Sequence, residues 1–189
     1  MSRSANRSRN APSLRRSGKR KLRRRLYARP ELSGDERGTA KYIADYLRGL
    51  GLDVKEGVGG LGVVGVLDGA APGPTIAYRA ELDALPIQDV IDEPYASMVL
   101  GVKHACGHDA HMTIALSIAS RLLDAVDQLC GRAIFVFQPA EESLDGARAM
   151  IEDGLLSTYA PQALLALHVF PLPVGTMGVA LGRCLAGME

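Results

Sequence analysis

The sequence predicts an α/β domain whose sheet carries helices on both faces. Three observations predict it. Short β-rich apolar pieces alternate with segments of helical periodicity from Pro30 onward. The 189 residues suffice for one domain with a real core. A composition that is 47% hydrophobic and 23% charged is that of an ordinary globular protein, with no apolar run near the ~20 residues that span a bilayer.

The elements follow in order. Ser33 followed by Glu36 forms a capping-box pattern, and Ala40, Ile43, Ala44, Leu47 and Leu50 recur behind it at helical spacing until Gly51. The pieces "LGVVGVL" (61–67) and "TIAYRAEL" (75–82) read as strands separated by a Gly/Pro turn, "DGAAPGP". Residues 109–126 read as a helix and "AIFVF" (133–137) as a buried strand. Residues 145–153 read as a helix ended by Gly154, and "ALLALHVF" (163–170) as a further strand.

Charge divides the chain. Residues 1–25 hold 11 of the 22 Lys and Arg and no acid, which leaves 11 bases against 21 acids in the remainder. Residues 1–21 are expected to be a solvated, disordered extension, and residues 22–189 the folded part. A transit peptide or a nucleic-acid arm has the same Arg-rich, acid-free composition. No aromatic residue precedes Tyr27 to stack on bases, so nucleic acid is not an expected partner. Three scattered cysteines, Cys106, Cys130 and Cys184, form no disulfide framework and fit a reducing compartment, here the cytoplasm.

Three of the four histidines fall between His104 and His111, in "HACGHDAH". Cys106 and His108 are separated by one glycine, so thiolate and imidazole can converge on one divalent cation, with a helix start just behind. As alternatives, the cysteine is a small core hydrophobe and the histidine a cap. In "FQPAEES", Glu141 and Glu142 follow an apolar strand. Two adjacent carboxylates at a buried position need a cation, with one as ligand and the other free as a base; on an exposed loop they would simply be solvated. His168 ends an apolar strand, where a satisfied core or edge histidine is the plainer reading. Glu81 and Asp83 would share one strand face and could bind metal or orient a ligand histidine, or be a plain surface acid pair; His104 and His111 are expected as neighbours or outer hydrogen-bond partners rather than ligands. All four pieces lie at or after strand ends, where open α/β sheets bind ligands.

In the order "RAELDALPI … HACGHDAH … FQPAEE … LHVFP … VGTMGV", together with the opening "ARPELSGDERGTAKYIADYLRGLGLDV", the chain resembles the zinc-exopeptidase-like family. It is most similar to the amidohydrolase branch of aminoacylases, hippurate hydrolases and hydrolases of indole-acetyl-amino-acid conjugates. The resemblance implies a three-layer α/β/α catalytic domain with a mixed sheet. It also implies two divalent ions, zinc or manganese with cobalt or nickel as alternatives, held by Cys106, His108, Glu142 and His168. Glu141 would be the general base and Asp83 the carboxylate that orients the site.

The implied reaction is hydrolysis of an N-acyl amino acid to a carboxylic acid and an amino acid. A dipeptidase or aminopeptidase on the same scaffold, or a non-catalytic remnant, is the alternative. Family members are longer, with a lid domain after "VGTMGV" that makes a homodimer and a last ligand histidine near the far C-terminus. The 189-residue chain is therefore expected to be truncated, with little or no turnover by itself. Glu81 stands where the family commonly has Asp, and Tyr27 and Arg29 stand where it has histidines.

Overall fold

A computed structural model describes residues 16–179. Helix α1 (Arg16–Tyr27) is followed by α2 (Arg37–Gly49), β1 (Asp53–Val58), β2 (Gly62–Asp68) and β3 (Ala71–Glu81). A long loop then leads to α3 (His108–Asp124), a 3-10 turn at Val126–Gln128, β4 (Cys130–Gln138), α4 (Gly146–Glu152), α5 (Leu155–Tyr159) and β5 (Ala163–Ala166). The strands form one sheet in the order β1-β2-β4-β3-β5. β1 and β2, and β2 and β4, run antiparallel, while β3 lies parallel to both β4 and β5. The sheet is therefore mixed, as expected.

The pleat divides the core between two faces. Val63, Ala80, Phe135 and Phe137 meet Leu22 and Leu26 of α1, Ile43 and Leu47 of α2 and Met112 and Leu116 of α3. Val64, Ala77, Ile134 and Val136 turn the other way onto Met150 of α4 and Leu155 of α5. The result is three layers. No helix among the described residues is long and apolar enough to cross a membrane.

Several expectations are corrected. The basic segment from Arg16 is helical, so the expected boundary after residue 21 falls inside α1. Leu22 and Leu26, one helical turn apart, bury against the core, and Arg24 and Arg25 lie 4.4 Å from the ring centres of Tyr95 and Tyr42. The remaining head, residues 1–15, lies outside the described residues. The "DGAAPGP" stretch is already strand from Ala71, with a register shift between Ala71 and Thr75 that accommodates its prolines. The strand expected over 163–170 is only Ala163–Ala166 and is exposed along its length, so His168 stands two residues past its end. The capping box does not form, because the carboxylate of Glu31 takes the N–H groups of Gly38 (3.0 Å) and Thr39 (2.7 Å) instead.

Candidate metal centre

Parallel pairing of β3 with β4 and β5 sets their carboxyl ends side by side, and the loops leaving those ends carry the chemistry. Asp83 follows β3, Glu141 and Glu142 follow β4, and His168 follows β5. Cys106 and His108 arrive from the long loop at the first turn of α3. Gly107 sits between them in the left-handed conformation (φ 91°), and a Cβ there would overlap a methyl of Val169. Only glycine lets the Cys106–His108 corner and the His168–Val169 segment approach this closely.

His108 is the hub. Its side chain is buried, and Nδ1–H points at Asp83, 2.8 Å from the main-chain oxygen and 3.2 Å from Oδ1. In the neutral ring this contact leaves Nε2 as a lone pair. It faces Glu141 Oε2 at 3.6 Å and Glu142 Oε1 at 3.8 Å and has no hydrogen-bond partner. A lone pair opposite two carboxylates is repulsive unless a cation or proton lies between them. Cys106 Sγ lies 3.2 Å from Nε2 of His168, whose Nδ1–H donates to the carbonyl of Val169 (2.6 Å). Among the described residues, three donor groups have ligand atoms mutually within 4.8 Å: Cys106–His108–His168, Asp83–His108–Glu141 and Glu81–His108–His111. His108 belongs to all three.

The structure therefore brings Asp83, Cys106, His108, Glu141, Glu142 and His168 to one rim. Asp83 and His108 are fully buried, Cys106 and the two glutamates half-buried, and His168 is exposed. Glu81 and Asp83 do not act as a strand-face pair: β3 ends at Glu81, and each acid serves a different histidine. His111 is the partner of Glu81. Its Nδ1–H donates to Glu81 Oε2 (2.7 Å) and its Nε2 accepts the N–H of Val169 (2.9 Å), so both nitrogens are used. It acts as a strut that holds the His168–Val169 segment against the end of β3. Arg79 closes this arm by pairing with Glu81 and donating to Gln138 Oε1 (2.8 Å). His104 is buried with neither ring nitrogen bonded, and burial, with His108 adding to it, pulls its pKa down to about 4.

The electrostatics fit a cation. Burial first, then Glu142 and Glu141, push the Cys106 thiol up to about 12. Burial also raises Glu141, although His108 and Arg79 oppose it. Burial disfavours the charged forms of both Asp83 and His108, but their mutual contact overcomes it, lowering the carboxyl and raising the imidazole. A divalent ion held by these donors would relieve the carboxylate repulsion and favour the thiolate form of Cys106. Thiol, imidazole and carboxylate together form a donor set of the kind that holds divalent metal ions. A groove of about 610 Å³ between α1 and α3 is lined by Arg16, Lys19, Arg20, Arg23 and Arg121 above an apolar floor; it contains none of these donors.

Glu36 borders the site, fully buried, and burial raises its pKa. With a folded pKa above the unfolded one, its stabilising contribution is complete below the ordinary carboxylate range and is lost as pH climbs through the raised value. Relative to Glu36→Gln, the native chain should lose stability between about pH 4 and pH 7. Urea denaturation of both proteins at the two pH values checks this, and a constant difference contradicts it.

The family model described as Peptidase family M20/M25/M40 matches residues 77–184. The chain belongs to this family. Among relatives, it is 43% identical over 151 residues to the hippurate hydrolase of Campylobacter jejuni, covering 80% of this chain and 39% of that one. It is 45% identical over 139 residues to thermostable carboxypeptidase 2 of Saccharolobus solfataricus, covering 72% and 35%. The crystal structure of the YXEP protein of Bacillus subtilis, described as a dinuclear metal binding peptidase from the M20 family, superposes with a TM-score of 0.83 at 40% identity. That match covers 88% of this chain and 46% of the other. This M20 chain spans about two fifths of the length of the curated relatives it matches.

Proposed function

We infer that this M20 chain carries the cation-holding and proton-transferring part of an amidohydrolase that cleaves N-acyl amino acids. The observation that carries the reading is His108, whose buried Nε2 faces the carboxylates of Glu141 and Glu142 without a hydrogen-bond partner. Cys106, His108, Glu142 and His168 would hold two divalent ions, zinc or manganese. The ions, when bound, supply Lewis-acid polarisation of the amide carbonyl and offset the negative charge that develops in the transition state.

The chain's own residues do the rest. Asp83 fixes the tautomer and tilt of His108. Glu141 takes a proton from the attacking water at its carboxylate and returns it to the leaving nitrogen. Its burial-raised pKa brings it closer to the operating pH that suits such a shuttle. The similarity to a hippurate hydrolase supports an acylated amino acid as substrate. The similarity to a carboxypeptidase keeps peptide cleavage as the second reading.

Calorimetric titration with Mn²⁺ or Zn²⁺ is expected to show about two ions per chain. Product release from N-benzoylglycine, N-acetyl amino acids and dipeptides then ranks the substrate classes. The N-acyl amino acids should lead at whatever rate the chain sustains. A chain that binds no cation ends this proposal, and a preference for dipeptides transfers it to peptide cleavage.

A further inference from the structure

Ser33 and Glu36 have the spacing of a helix cap, yet Glu31 does that work. Its carboxylate accepts the N–H groups of Gly38 and Thr39 and the hydroxyl of Thr39 (2.7 Å). The other two side chains reach the opposite way, to positions 50 and 104 residues along the chain. Ser33 Oγ–H donates to Asp83 Oδ2 at 2.7 Å, and the same oxygen accepts the N–H of Glu142 at 2.9 Å. Glu36 Oε1 accepts the N–H of Ala140 at 2.7 Å.

Ala140 is the pivot of the turn that carries both site glutamates. Its φ of 49° lies in the left-handed region, which a residue with a Cβ enters at a cost. Its carbonyl accepts the N–H groups of Asp145 (3.3 Å) and Gly146 (3.1 Å), closing the turn around Glu141–Leu144. The Ala140 N–H has Glu36 as its acceptor, and a buried N–H without one loses its hydrogen bond outright. Burying a whole carboxylate is costly, and here its Oε1 serves the turn through the Ala140 N–H.

The geometry points to Glu36 and Ser33 as positioning residues for the candidate centre. Glu36 holds the turn that aims Glu141 and Glu142 at His108, and Ser33 holds Asp83 between His108 and the Glu142 amide. The inference rests on the reading of this rim as a cation centre. It adds two residues from the approach to α2 that are not among its donors.

Two substitutions separate positioning from bulk stability. Glu36→Gln keeps an oxygen for the Ala140 N–H, whereas Glu36→Leu keeps similar volume and removes the acceptor. In the whole 189-residue chain, Glu36→Leu should weaken Co²⁺ binding about 10- to 100-fold and alter the visible Co²⁺ absorption. Glu36→Gln should restore both. Hydrogen exchange, which needs no ion, should speed up at the Ala140, Glu141 and Glu142 amides in Glu36→Leu alone, with β4 unchanged. Ser33→Ala should weaken Co²⁺ binding in the same direction, and unchanged affinity removes Ser33 from the pair.

Native exchange at residues 140–142 in Glu36→Leu overturns the inference for Glu36. So does loss of protection across the whole sheet, which would make Glu36 a general stabiliser. A native chain that binds no Co²⁺ overturns the cation-centre reading instead, while the exchange data still decide whether Glu36 holds the turn.

Discussion

Cation affinity falls by at least about 100-fold in His108→Ala, because loss of an outer partner alone costs roughly 10- to 100-fold at metal sites and His108 is a direct donor. His108 is the one residue shared by all three donor groups, and its Nε2 has no competing hydrogen bond that must be broken before an ion binds. Asp83→Asn should cost less, within that 10- to 100-fold range, since it weakens the ring's orientation and the Ser33 and Glu142 contacts but leaves the Nε2 donor in place. Calorimetric titration of both variants with Mn²⁺ measures the order, with circular dichroism confirming the fold. Affinity in His108→Ala equal to the native chain would mean that the cluster is not organised around this imidazole.

Gly146→Ala should destabilise the chain by about 3 kcal/mol or more, at the upper end for overpacking. A Cβ at Gly146 would overlap the main-chain oxygen of Pro139 and crowd that of Ala140, so backbone rather than a flexible side chain must move. At this chain length that corresponds to a fall in Tm of roughly 6–12 °C. The turn bearing Glu141 and Glu142 would open with it, so cation affinity should fall as well. Gly49→Ala is the contrast: that glycine is exposed at the end of α2, with nothing near the added methyl, and the change should stabilise by about 0.5–1 kcal/mol. Thermal melts of the two variants read both signs, and a Gly146→Ala melt within a degree or two of native contradicts the packing argument.

Much of the fold was legible because its signals are local. The apolar pattern at Ala40, Ile43, Ala44 and Leu47 marks α2, and those residues form one wall of the core. The run "AIFVF" marks the central strand because that strand is covered on both faces, Phe135 and Phe137 on one and Ile134 and Val136 on the other. β1 was missed: in "DVKEGV" only Val58 is buried, and a sheet edge with one weakly apolar face leaves little periodicity to read. The basic segment from Arg16 concealed a helix for a related reason. Two leucines are enough to anchor it once α3 is there to receive them, but neither leucine identifies its partner.

By itself the sequence determined which chemical groups are present and in what short-range order: a thiol and an imidazole one glycine apart, two adjacent carboxylates after an apolar strand, and a histidine closing another. Residue type and spacing settle donor identity and local conformation. Tertiary structure alone decided which donor faces which. That Asp83 serves His108 while Glu81 serves His111, and that Glu36 reaches Ala140, depend on pairings tens of residues apart. Those pairings follow from the parallel register of β3 with β4 and β5, a long-range constraint that periodicity within a short window does not contain.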